Sequence, residues 1–111
     1  MSNLFANGVY GPQHTFNEDI SLWNVSNVID MSCMFNRVTD FNQPLNDWDV
    51  RNVRSMRAMF CSSGFNQPLN DWNVSNVTDM GAMFDSTLHF NQPLDQWDVR
   101  NVTIMSRMLL S

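Results

Sequence analysis

The chain has 111 residues, with eleven acids against six bases, all of them arginine, and a net charge of −5. That length holds one domain with one core, and the acidic balance argues against a nucleic-acid partner, which requires Lys and Arg to displace counterions from phosphate. No run of about 18 apolar residues occurs, so no inserted membrane helix is expected.

Residues 1–15, "MSNLFANGVYGPQHT", lack the basic start and apolar stretch of a secretory signal. Met1, Leu4 and Phe5 align with Met31, Met34 and Phe35 further on. The segment therefore reads as half a unit plus a loop, with Phe5, Val9 and Tyr10 partly covering the layer that follows.

From residue 16 the chain repeats itself. Units begin at Phe16, Phe41, Phe65 and Phe90, at steps of 25, 24 and 25 residues. The phrase "FNQPLNDWDV" at 41–50 returns as "FNQPLNDWNV" at 65–74. Trp23, Trp48, Trp72 and Trp97 form one column. The pairs Met31/Met34, Met56/Met59, Met80/Met83 and Met105/Met108 take up eight of the nine methionines. Self-similarity at such a period marks a repeat array, so residues 16–111 are read as four stacked units.

Within a unit two spacings alternate. Trp48 and Val50 are two apart among polar Asp47, Asp49 and Arg51, the pattern of a short strand with one face buried. Val53, Met56, Met59 and Phe60 recur at three and four, the pattern of one helical face. Asn52 stands where an N-cap belongs, and Asn27 and Asn76 precede Asp30 and Asp79 by three residues, as in a capping box. Pro44, Pro68 and Pro93 keep the return segments non-helical. The expected architecture is an α/β solenoid, leucine-rich-repeat-like, with one short parallel strand and one short helix in each of four repeats. Its buried indole N–H groups need acceptors, and turn carbonyls are expected to supply them.

The pattern L-x-x-W-[DN]-V-S-N-V-x-D-M-x-x-M-F resembles the repeat, roughly 25 residues long, of bacterial surface proteins and lipoproteins related to the BspA-like branch of leucine-rich repeats. The resemblance covers residues 16–111. It implies a curved solenoid, a cell-surface or extracellular location, and a largely undefined biochemical role.

Residues alternating with Trp and Val should face outward in three columns: Leu22/Asp47/Asp71/Gln96, Asn24/Asp49/Asn73/Asp98 and Ser26/Arg51/Ser75/Arg100. Extended repeat faces are commonly used for binding. Asp47, Asp49, Arg51, Asp71, Asn73, Asp98 and Arg100 are thus the candidate surface for a protein or glycan. A solvated face that keeps the chain soluble is the plainer alternative. No D-x-D-x-D-G loop accompanies the aspartates, so a calcium cage is not expected. The columns Asn27/Asn52/Asn76/Asn101 and Asn17/Asn42/Asn66/Asn91 read as stacked side chains that satisfy turn backbone. The N-x-S/T sequons at Asn24, Asn73, Asn76 and Asn101 arise automatically from the repeat. Arg51, Arg54 and Arg57 form the basic cluster, with Arg54 level with Ile29 and Thr78 and ion pairs expected to Asp30 or Asp79 of adjacent units.

Cys33 and Cys61 lack CxxC or metal spacing and read as small half-buried hydrophobes rather than a disulfide. His14 and His89 have no nucleophile or carboxylate at a catalytic spacing. No cofactor or metal is implied, and no enzyme is expected. The function expected is a non-catalytic binding or adhesion module, with a structural spacer or assembly element as the alternative. After Met105, Met108, Leu109 and Leu110 no capping segment is read, so the outer face of the fourth unit is expected to be covered by self-association, by a neighbouring chain or by further natural sequence, with self-association the preferred form for the isolated chain.

Overall fold

The computed structural model describes residues 15–107. The half-unit and cover expected over 1–15 fall outside that span except for Thr15, as do Met108, Leu109 and Leu110.

The segment read as a helix decides the architecture. Val53, Met56, Met59 and Phe60 are all buried, as their spacing requires, yet the backbone carrying them is a series of turns. Cys33, Ala58, Ala82 and Arg107, each two residues after a column methionine, have φ of 58°, 53°, 56° and 61°. Four residues on, Arg37, Ser62 and Ser86 have φ of 65°, 55° and 59°. A left-handed residue cannot continue a right-handed helix, but it fits the third position of a type II turn. The turns overlap: Met34 N–H donates to Met31 O at 3.3 Å, Asn36 N–H to Cys33 O at 3.2 Å and Val38 N–H to Phe35 O at 3.1 Å.

The alternate N–H groups leave their own unit. Met31, Cys33, Phe35 and Arg37 donate to the carbonyls of Ser55, Arg57, Met59 and Cys61 at 2.9, 2.8, 2.9 and 2.8 Å. Met56, Ala58, Phe60 and Ser62 donate in the same way to Asp79, Gly81, Met83 and Asp85 at 2.9, 2.9, 3.0 and 2.9 Å. Met80 and Ala82 donate to Ile104 and Ser106, both at 2.8 Å. A helix this short would leave its first N–H and last C=O groups unpaired and is marginal on its own. Pairing with the next unit satisfies them. The parallel bridges Asp30↔Ser55, Ser55↔Asp79 and Asp79↔Ile104 therefore lie inside the supposed helix.

The supposed strand is also different. Trp48 and Val50 are buried and Asp49 between them is exposed, as the alternation requires. The three residues run between two turns, Trp48 N–H to Leu45 O and Val53 N–H to Val50 O, each at 3.0 Å. On this side the units are joined by side chains. Trp48, Trp72 and Trp97 donate their indole N–H to the carbonyls of Ile20, Leu45 and Leu69 at 3.0, 2.7 and 2.8 Å, which meets the expectation for buried indoles.

Among the described residues there is no α-helix and no paired strand beyond those single-residue bridges. The expected α/β solenoid with a strand and a helix per repeat, and its leucine-rich-repeat-like character, are thus overturned. So is the helix-capping role given to Asn27, Asn52 and Asn76. The body is compact, with extents of 36 × 30 × 23 Å and a radius of gyration of 12.6 Å, near the ~13 Å of a compact 100-residue domain.

The core is built from stacked rings. Phe35, Phe60 and Phe84 follow one another with ring centroids 5.6 Å apart. Phe16, Phe41, Phe65 and Phe90 form a second column at 5.8, 6.1 and 6.3 Å. The columns interlock through Phe35–Phe41, Phe60–Phe65 and Phe84–Phe90 at 4.2, 4.3 and 4.2 Å.

The short step between units leaves a visible mark. The corners before Phe41 and Phe90 close by Phe41 N–H to Val38 O at 3.4 Å and Phe90 N–H to Thr87 O at 3.2 Å. The corner before Phe65 is one residue shorter, and there the Ser63 hydroxyl accepts from Phe65 N–H at 3.1 Å. Gly64 fits because a Cβ on it would lie 2.1 Å from the carbonyl oxygen of Thr39.

The left-handed positions make one prediction of unusual sign. Ala82→Gly is expected to raise stability by about 0.5–1 kcal/mol, since an L side chain at positive φ carries a penalty larger than glycine's extra chain entropy. In a true helix the same change would lower stability by about 1 kcal/mol. Thermal unfolding of the two proteins reads the sign.

Candidate functional site

All seven candidate residues, Asp47, Asp49, Arg51, Asp71, Asn73, Asp98 and Arg100, are exposed. They stand on turns rather than on a sheet, and the local chemistry explains their placement. The carboxylate of Asp49 accepts from Arg51 N–H at 3.2 Å, and that of Asp98 from Arg100 N–H at 3.2 Å. Asn73 and Asn24 accept from Ser75 and Ser26 N–H, each at 3.1 Å, and also from the two serine hydroxyls at 2.7 and 2.6 Å. Each is an Asx turn, a side-chain oxygen that mimics a backbone turn.

The ion pairs made by these candidate residues close within a unit. Arg51 reaches Asp49 at 3.1 Å and Arg100 reaches Asp98 at 3.0 Å. Asp-Val-Arg and Asn-Val-Ser alternate from unit to unit, so in these two columns like charges are not stacked on adjacent layers. The backbone and side-chain bonds from Arg100 hold the Asp98 carboxyl below the usual carboxylate range. A carboxylate depressed in the folded state adds stability above its unfolded pKa, and that contribution is lost as pH falls through the folded value.

Asp71 is tied across units instead. Its carboxylate accepts from the Asn46 amide at 2.8 Å, and its N–H donates to Asn46 Oδ1 at 3.1 Å. Asp47 has neither a hydrogen bond nor an ion pair with the described residues. Asp47, Asp49, Asp71 and Asp98 do not converge on one point, and no group of three or more metal-ligating side chains occurs among the described residues.

Arg54 does lie level with Ile29 and Thr78: its N–H donates to Ile29 O at 2.7 Å and its carbonyl accepts from Thr78 N–H at 2.9 Å. The cross-unit ion pair, however, belongs to Arg57, which reaches Asp79 at 3.7 Å. A second one, Arg107 to Asp85 at 3.1 Å, uses a buried carboxylate. Cys33 and Cys61 are free and half-buried, and burial, then the neighbouring Cys61 thiol, pushes the Cys33 thiol up.

Both asparagine columns join units. Asn52, Asn76 and Asn101 donate Nδ2–H to the carbonyls of Ser26, Arg51 and Ser75, each at 2.7 Å. Asn17, Asn42 and Asn66 accept on Oδ1 from the N–H of Asn42, Asn66 and Asn91 at 2.9, 2.8 and 2.9 Å. Asn76→Ala is expected to lower stability by about 1 kcal/mol through the lost bond, whereas Asn73→Asp keeps the turn oxygen and should be close to neutral; urea titration separates the two.

Two concave features were not foreseen. A shallow depression of about 220 Å³ sits at the short corner, lined by Thr39, Ser62, Gly64 and His89 among others; the step of 24 residues was its trace in the sequence. A second cavity, about 330 Å³, opens beside Phe84, Leu88, Phe90 and Leu94.

No curated protein and no solved structure matches the chain. A family model does, over residues 1–111, and its family is described as "Mycoplasma protein of unknown function, DUF285". The four-unit sequence with its regularly placed Trp, Met and Asn columns thus belongs to the DUF285 family.

Proposed function

We propose that the chain is a non-catalytic binding or adhesion module of a surface-associated repeat family, engaging a protein or glycan through its exposed turn row. The row comprises Asp49, Arg51, Asn73, Asp98 and Arg100, with Asp47 and Asp71 beside it. Kinship to BspA-like repeats, and with it a cell-surface or extracellular location, is proposed from the sequence pattern alone.

One observation supports the row most. Its side chains are held by Asx turns and in-unit ion pairs on a backbone tied to its neighbours, so charged and amide groups are presented at regular intervals with little freedom left to lose on binding. The alternative, a structural spacer, is favoured by those same ion pairs, because each Asp–Arg pair already satisfies itself within its unit.

The fold supplies its own control. Asp49-Val50-Arg51 and Asp98-Val99-Arg100 can be rewritten as Asn-Val-Ser, the form units one and three already use, with no change in net charge. The doubly rewritten chain is expected to keep its thermal midpoint. Both proteins are then applied to an array of purified glycans and extracellular-matrix proteins. A component bound by the native chain and lost by the rewritten one supports the proposal. Equal binding by the two, or no binding to any component, contradicts it in favour of the spacer.

A further inference from the structure

The corner between the second and third units departs from the repeat. Its neighbours carry two residues between a buried corner position and the next column phenylalanine, Thr39-Asp40 after Val38 and Leu88-His89 after Thr87. Only Gly64 stands between Ser63 and Phe65. The shorter corner needs compensating residues. Ser63 lends its hydroxyl to Phe65 N–H, the role that the carbonyls of Val38 and Thr87 play at the other two corners. Gly64 lacks the Cβ that would strike the Thr39 carbonyl oxygen. A local break in an otherwise consistent pattern, held by such compensations, is where a functional site is expected.

The missing residue leaves a notch with a unit on either side. Its floor is Ser62, Ser63 and Gly64, with Thr39 bounding it from the first corner and Ser86, Leu88 and His89 from the third. At about 220 Å³ it is smaller than the ~300 Å³ at which pockets for drug-sized ligands begin, which leaves room for one small unit. No Asp, Glu, Lys or Arg side chain lines it, so neither an anion nor a cation finds a counter-charge there. The hydroxyls of Ser62 and Ser86 and the imidazole of His89 can each donate and accept. The Ser86 hydroxyl donates to the Asp85 carboxylate at 3.5 Å, and its oxygen is thereby turned to accept from an incoming O–H. Leu88, 71% exposed, supplies an apolar wall. Hydrogen-bonding groups beside an apolar wall match a ring whose edge carries hydroxyls and whose face carries C–H groups.

We propose that this notch binds one pyranose ring of a neutral sugar, with its hydroxyls on Ser62, Ser86 and His89 and its C–H face on Leu88. The site lies apart from the turn row and does not rest on the function proposed above.

The test is a titration of the ¹⁵N-labelled chain with the methyl glycosides of glucose, galactose, mannose and N-acetylglucosamine, followed by amide shifts in NMR. At least one is expected to give saturable shifts confined to the corners, with a Kd on the order of a few mM for so small a contact. Ser62→Gly combined with Ser86→Gly removes both hydroxyls at positions where φ is 55° and 59°, a conformation that glycine adopts freely. The thermal midpoint should not fall, and binding should weaken about tenfold through the two lost hydrogen bonds. Leu88→Asp, at an exposed position, should also weaken binding without loss of stability. The Asn-Val-Ser rewriting of the turn row should leave glycoside binding intact, which separates this proposal from the one above. Absence of saturable shifts at the corners with every glycoside, or unchanged binding by the double-glycine chain, overturns it. Equal saturation by glycerol or by inorganic phosphate also overturns it, by making the notch a site for any small polyol or for an anion.

Discussion

Trp72→Ala is expected to lower stability by about 3–5 kcal/mol, the range for removing a large ring from an interior that cannot collapse around the hole. Trp72 is 3% exposed, lies parallel to Trp97 with ring centroids 6.4 Å apart, and touches Phe60 at 6.5 Å. Its loss also removes the indole N–H that the Leu45 carbonyl accepts at 2.7 Å, leaving that carbonyl with Trp48 N–H alone. Trp97→Ala should lower stability clearly less, because Trp97 is more exposed, at 8%, and its side of the core ends in partly buried residues. Denaturant unfolding of both variants gives the comparison. Equal losses would mean that interior and outer units are not distinguished by packing.

Gly64→Ala is the second large effect, about 3 kcal/mol destabilising, at the upper end for overpacking. The added Cβ would meet backbone, the Thr39 carbonyl oxygen at 2.1 Å and its carbon at 3.3 Å, and neither can swing aside. Gly81→Ala is the control. There a Cβ would meet only side-chain atoms, the guanidinium of Arg57 at 2.6 Å, which can swing aside, and Asp79 Oδ1 and Ile104 Cγ2 at 3.2 Å, which need give only slightly, so the change should cost clearly less, about 1 kcal/mol. Similar losses at the two glycines would show that the short corner is not held by that backbone contact.

The sequence made the burial pattern legible but not the backbone that produces it. Val53, Met56, Met59 and Phe60 point inward whether the chain coils as a helix or passes through overlapping turns, because both bring residues three apart to one side. The deciding feature is a left-handed residue every fourth position, and Cys33, Ala58 and Ala82 give no hint of it, since glycine or asparagine is the usual signal. The Trp-x-Val alternation likewise fixed which side is buried, while the pairing it suggested occurs one segment later, at Asp30, Ser55, Asp79 and Ile104.

Much of the candidate row could be read directly, because Asp49, Asn73 and Asp98 alternate with buried residues and are exposed as expected. What spacing could not convey is the direction of the ion pairs. Arg51 and Arg100 turn back on the aspartate two residues before them rather than reaching another unit, because the Asx turn already brings those groups together. Arg57, not Arg54, reaches the next unit, because Arg54 sits beside Ile29 and Thr78, neither of which is an acid.

Alternate backbone N–H groups of the Met-x-x-Met segments, starting with the first methionine, bond to the next unit rather than to a carbonyl four residues back. Nitrogen-to-carbonyl scalar couplings through hydrogen bonds, measured by NMR on the labelled chain, test this pairing most directly. Couplings are predicted from Met31 N to Ser55 carbonyl carbon, from Met56 N to Asp79, and from Met80 N to Ile104. Couplings instead from each of residues 57–60 to the residue four before it would show a helix and contradict the account.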